Sequence, residues 1–174
     1  MLETERLVLR LMEVEDEDVI VSWRNKKEII DGFFSHKGPT LTEHREWYQR
    51  YLKGGSRLEF VIRIKESGKR IGTIGLNNLD FLNQKAEYGI LIGEDEAKGK
   101  GYGEEASIAL LKYAFEELNL HRIYLRVFTV NSAAIRLYEK LGFEKEGILR
   151  QDAFKNGRYQ DVLMMAIMRG RTDA

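Results

Sequence analysis

The chain has 174 residues, enough for one domain with a substantial core. Its 28 basic and 28 acidic residues balance, so bulk charge recommends neither nucleic acid nor an anionic membrane as a partner. Cysteine is absent, which removes disulfides, thiolate metal sites and any acyl-cysteine intermediate, and no run approaches the ~18 apolar residues of a membrane span.

The N-terminus, Met1-Leu2-Glu3-Thr4-Glu5, is acidic and lacks the apolar core of a signal segment, so a cytoplasmic protein is expected. One proline (Pro39) and no low-complexity tract give no sign of a linker, and a single domain over residues 1–174 is predicted. Residues 6–11 alternate and read as a first strand. The acidic run 13–18 then opens a helix carrying Val19, Ile20 and Trp23. Those acids read either as a first turn complementing the helix dipole or as an acidic mouth for a cationic substrate. A loop follows over 33–39, and Thr40-x-x-Glu43 has the form of a capping box for a helix through Trp47, Tyr48 and Tyr51, stopped by Gly54-Gly55. The aromatic-rich region 33–51 could serve a homodimer contact, and His44 reads as a surface histidine or, failing that, as one that touches an acceptor substrate.

Residues 59–64, 70–79 and 86–92 are strand-like runs joined by short turns, which predicts an antiparallel meander. From 104 to 118 apolar residues fall at both i+3 and i+4 spacings, as in a largely buried helix. Residues 122–127 form a strand reached by a helical crossover, hence parallel to its predecessor. Asn131 and Ser132 cap a short helix over 133–141, closed by Gly142. Two last strands flank Asn156-Gly157, a strong hairpin signal. The order β-αα-βββ-α-β-α-ββ describes an α+β domain with one mixed sheet.

The most informative stretch is Lys98-Gly99-Lys100-Gly101-Tyr102-Gly103, between a strand and the long helix. Its glycines permit close backbone approach, and helix-start N–H groups together with two lysines suit an anion, so it reads as a phosphate-binding turn. A Walker A loop fails on spacing, because Gly93 and Gly99 enclose five residues and Lys100 precedes Gly101. Residues 101–106 fit the dinucleotide pattern GxGxxA, but the next strand-like run, 122–129, has no Asp or Glu for the ribose.

Residues 98–103 instead resemble the pyrophosphate loop of the GNAT N-acetyltransferases, which bind acetyl-CoA, although Lys98 stands where Arg or Gln is more usual. A second stretch, Asn131-Ser132-Ala133-Ala134-Ile135-Arg136-Leu137-Tyr138-Glu139-Lys140-Leu141-Gly142-Phe143, resembles that family's Asn-x-x-Ala-x-x-Leu-Tyr-x-Lys-x-Gly-Phe pattern. The resemblance implies a GNAT fold, a mixed seven-stranded sheet with about four helices. Residues 118–124 and 154–162 look like the spermidine and ribosomal-protein branch. Trp23-Arg24-Asn25 with Glu43, His44 and Trp47 looks more like enzymes acetylating amino-sugar nucleotides.

By that resemblance, acetyl-CoA is bound by Lys98, Gly99, Lys100, Gly101, Tyr102 and Gly103, by the strand residues Ile90, Leu91 and Ile92, and by Asn131 and Lys140. A backbone N–H near Leu91 would stabilise the oxyanion. An acceptor amine with a pKa of ~10 needs a base at neutral pH, and Glu87 is the first candidate; otherwise it is an exposed strand carboxylate. Tyr138 would protonate the leaving thiolate; otherwise it is a core aromatic. Asn131 caps its helix in either case. Without cysteine or a Gly-x-Ser-x-Gly elbow, direct attack on the thioester is expected. His36, His44 and His121 have no metal spacing, so no metal is implied. The acceptor would be a polyamine, an amino-sugar nucleotide or a protein N-terminus. A non-catalytic acyl-CoA sensor and an NAD- or ATP-binding module are the alternatives.

Overall fold

Alternation of apolar and polar residues sets which face of each strand is buried. In the computed structural model, which describes residues 1–170, these strands share one sheet. The strands are β1 (Leu2–Glu3), β2 (Leu7–Leu11), β3 (Leu58–Ile64), β4 (Arg70–Asp80), β5 (Lys85–Ile92), β6 (Arg122–Phe128), β7 (Glu144–Lys155) and β8 (Arg158–Met168). Their spatial order is β1-β2-β3-β4-β5-β6-β8-β7, and only the β5–β6 pair is parallel. The helices are α1 (Glu17–Arg24), α2 (Lys27–Gly32), α3 (Leu41–Lys53), α4 (Tyr102–Glu116) and α5 (Ser132–Leu141). The final four residues of the expected domain, 171–174, lie outside the described residues.

The expected fold is present, with eight strands rather than seven and five helices rather than about four among the described residues. The added strand, β1, is two residues long, below what periodicity can signal. The added helix arises at Asn25, whose amide donates to the carbonyls of Val21 and Pro39 at 2.8 Å each. That competing local bonding ends α1, and Lys26 turns extended before α2 begins.

The sheet carries a core on each face. Helices α4 and α5 cover one, where Leu110, Leu111, Phe115 and Leu141 pack on Ile74, Tyr88, Ile123 and Leu125. Helices α1 and α3 cover the other, where Ile20 and Trp23 pack on Val61 and Leu91. Phe33, Trp47, Tyr48 and Tyr51, from the region that could serve a dimer contact, are partly buried against this second core.

The acidic run does more than charge a first turn. Asp16 is fully buried, and both its oxygens accept from Arg10 at 3.1 Å while Arg70 donates at 3.0 Å. Arg63 lies 3.7 Å away, and the neighbouring Glu17 pairs with Arg45 of α3 at 2.7 Å. Arginines from three adjacent strands thus converge on one carboxylate. Asp16→Asn removes the shared counter-charge of Arg63 and Arg70, leaves Arg10 with Glu13 alone, and is expected to cost about 3 kcal/mol of stability. Urea unfolding checks this as a lowered midpoint at unchanged slope.

Candidate active site

A parallel pair cannot be closed by a tight turn, so β5 and β6 are joined through a crossover whose helix is α4. The pairing is short: Lys85, Ala86 and Glu87 match Arg122, Ile123 and Tyr124, and then the strands part. Beyond that point β5 pairs only with β4 and β6 only with β8. Residues 89–92 of β5 therefore present an unpaired edge to a slit in the sheet. Ile90 and Ile92 are half-buried on the α4/α5 face, whereas Leu91 is buried on the other.

The glycine loop begins where β5 ends. Lys98 at φ −73°, ψ 148° followed by Gly99 at φ 73° forms a type II turn, and Gly101 caps α4 at φ 81°. Only glycine takes both positions without strain. No side chain caps α4, so its first N–H groups remain open, which is the arrangement that binds phosphate. Arg6, which sequence reasoning did not single out, braces the loop. It donates to the Lys100 carbonyl at 2.9 Å, pairs with Glu105 at 2.7 Å and lies over the Tyr102 ring at 4.6 Å. Lys98 pairs with Asp95 and Lys140 with Glu104, each at 2.9 Å. The Glu104–Lys140 pair ties the first turn of α4 to α5, and Asn131 caps α5 by accepting from the Ala134 N–H at 3.3 Å. A Cβ on Gly103 would meet Ile90 at 3.7 Å and Leu137 at 4.0 Å, so loop, slit edge and α5 converge.

Tyr138 stands at that convergence. Its ring packs edge-on against Tyr88, the first β5 residue past the parallel pairing, with centroids 5.7 Å apart. It is half-buried against the core, and burial pushes its phenol up to about 12. It therefore keeps its proton at neutral pH. Tyr88 points to the same face and shares a 2.6 Å hydrogen bond with Ser107. Glu87, of opposite parity, faces the α1/α3 side and pairs with Arg126 at 3.0 Å, so it is held rather than freely exposed.

On that side a cavity of about 150 Å³ opens onto Gly89, Ile90 and Leu91. Its polar lining includes Glu59, Arg57, Arg24 and His44, of which the sequence had singled out Arg24 and His44 but not Glu59 or Arg57. His44 is not at the surface but buried, 3% exposed, and its Nδ1 has no hydrogen-bond partner. A capping box starts α3 at Thr40 and turns this residue inward against Trp47, ring centroids 5.4 Å apart. Burial raises the Glu59 carboxyl above its ordinary value. No group of three or more His, Asp or Glu side chains suits a metal ion among the described residues. No helix among them is long and apolar enough to cross a membrane.

Comparison with known proteins gives a consistent family. A family model described as an acetyltransferase (GNAT) domain matches residues 6–144. The spermidine N(1)-acetyltransferase of Vibrio cholerae is 34% identical over 166 residues, which cover 95% of each chain. An uncharacterised N-acetyltransferase of Bacillus licheniformis is 36% identical over 170 residues, covering 95% of this chain and 94% of that one. Among solved structures, spermidine N-acetyltransferase from Vibrio cholerae in complex with CoA and spermine superposes with a TM-score of 0.92. That match has 33% identity and covers 97% of this chain and 99% of the other.

The buried imidazole has a measurable consequence. His44 is held below its ordinary 6.5, first by burial and then by the Arg24 charge, so as pH falls the unfolded chain takes up this proton before the native one. Its contribution is therefore complete above about pH 6.5 and is lost as pH falls toward the native value. Urea unfolding of wild type and His44→Gln at about pH 7 and about pH 5 checks this: the acid-induced loss is smaller in the variant. Glu59 is common to both proteins and cancels in that comparison.

Proposed function

The chain belongs to the GNAT family of acetyltransferases, and from that premise we propose that it moves an acetyl group from acetyl-CoA directly onto a primary amine of a small molecule. The observation that carries this reading is the parting of β5 and β6 after Glu87 and Tyr124, with the uncapped start of α4 immediately downstream. The residues fit the cosubstrate. Open N–H groups at Gly101 to Gly103, flanked by Lys98 and Lys100, hold a diphosphate, and the free edge at Gly89 to Ile92 pairs with an amide-bearing arm as an added strand would. Asn131 and Lys140 border the same space from α5. Acetyl-CoA supplies an acyl group on a thioester; the rest is done by this chain.

A main-chain N–H near Leu91 polarises the thioester carbonyl. Glu87, fixed by Arg126, accepts the proton that the ammonium must lose before attack, directly or through water. Tyr138 holds its proton because it is buried, and donates it from Oη to the departing sulfur, whose thiol pKa is ~8.5. The two roles sit on opposite faces of the sheet, so donor and acceptor approach the slit from opposite sides. Polyamines named for the relatives are the first acceptors to assay, with amino-sugar nucleotides and peptide N-termini beside them.

Isothermal titration with acetyl-CoA tests the binding half of this reading: wild type binds, and Gly101→Val loses roughly tenfold or more of the affinity because its side chain cannot take φ 81° without strain. Absence of binding to wild type at high micromolar acetyl-CoA would end the proposal. For the chemical half, release of free CoA is followed with an amine panel. Tyr138→Phe is expected to lower kcat by on the order of a hundredfold with acetyl-CoA affinity retained; an undiminished rate returns Tyr138 to a packing role.

A further inference from the structure

We propose that the cavity between β3–β5 and helices α1 and α3 is the acceptor site, and that its preferred acceptor is a small amine bearing its own carboxylate or phosphate. The inference rests on the transferase reading above and specifies its second substrate. The geometry begins with a row across the sheet: Glu59 of β3 is registered with Gly75 of β4, and Gly75 with Gly89 of β5. No side chain stands between Glu59 and the slit. A Cβ on Gly75 would lie 2.7 Å from Glu59 Oε2, so the carboxylate already leans over Gly75 in the direction of β5. It offers an amine a counter-charge beside the edge where acyl transfer takes place.

The remaining charge in the cavity has the opposite sign. Arg24 and Arg57 both line it, against the single carboxylate of Glu59. Arg57 is placed by stacking over Trp47 at 4.8 Å, and its Nε is 3.4 Å from Glu59, too long for a strong hydrogen bond. The Arg24 guanidinium makes no hydrogen bond or ion pair among the described residues. Burial, and then the nearby Arg57, depress its pKa, as expected of a cation short of counter-charge, though guanidinium stays protonated. Asn77 Oδ1 and His44 Nδ1, both buried without partners, add two unused polar positions to the same wall. A carboxylate or phosphate supplies the bidentate acceptor favoured by Arg24, which has no partner among the described residues, and by Arg57, held only through its 3.4 Å pair with Glu59. The further ammonium groups of a polyamine would instead meet like charge.

Three acceptors with one four-carbon chain separate these cases: 4-aminobutanoate, 4-aminobutyl phosphate and butane-1,4-diamine, with spermidine as a fourth. The expected result is a kcat/KM for one or both anionic amines roughly tenfold or more above that of the diamine and of spermidine. The better of carboxylate and phosphate identifies the group. Arg24→Gln and Arg57→Gln each raise KM for that acceptor and narrow its advantage over the diamine, while retained acetyl-CoA affinity reports that the variant is folded. Binding is read separately through the fluorescence of wild-type protein, whose Trp47 lies under Arg57: the anionic amine perturbs it and the diamine does not. A preference for the diamine or spermidine overturns the proposal and leaves the transferase reading intact. So does acetyl-CoA binding with no fluorescence response and no turnover of either anionic amine. Failure of acetyl-CoA itself to bind overturns the underlying reading instead.

Discussion

The architecture depends on a pair of strands that stop pairing. β5 and β6 share only three matched positions before they diverge, and each still satisfies its other edge, β5 through β4 and β6 through β8. Backbone donors and acceptors exposed along such a slit require partners, of the kind that water or an added extended segment supplies. The same pair explains the glycine loop. A parallel neighbour demands a crossover, and a crossover that begins at the carboxyl end of β5 puts the open start of α4 at the mouth of the slit.

The sheet divides the labour. On the α4/α5 face lie the glycine turn with its uncapped helix start and Tyr138, a phenol whose burial keeps its proton in place. The α1/α3 face carries Glu87, Glu59 and the two arginines, and its geometry is held by ion pairs outside the cavity. Asp16 collects Arg10, Arg63 and Arg70, and Glu17 collects Arg45, which fixes the start of α1 to the sheet and to α3. Two of the acids of 13–18, Asp16 and Glu17, thus act as a frame for the second face, while Glu13, Glu15 and Asp18 stay exposed.

Features carried by local chemistry were legible in the sequence. Asn131 caps α5, Gly142 ends it at φ 102°, and Asn156 and Gly157 turn at φ 52° and 77° as a two-residue hairpin requires. The glycine loop was readable because its backbone angles dictate its residues. Features made by register were not. Glu59, Gly75 and Gly89 form a row only after two strand pairings are fixed, and alternation alone leaves those registers open. Arg6 likewise reaches the loop from the far end of the chain. His44 misled because a polar residue on an amphipathic helix ordinarily faces water; here it borders a polar cavity, so facing inward does not set it against apolar side chains alone.

Lys155, at the end of β7, is almost wholly buried and donates to the carbonyls of Ile30, Phe33 and Ser35 at 2.6, 2.9 and 2.6 Å. One ammonium thereby gathers the tail of α2 and the segment after it, where Phe34 packs on Phe128 and under Arg126, the partner of Glu87. During synthesis that segment emerges early and its anchor more than a hundred residues later, so the wall beside Glu87 stays unfastened until the closing hairpin has formed. The glycine turn has no such late anchor, since its residues and the arginine that braces it, Arg6, all precede the closing hairpin in the chain.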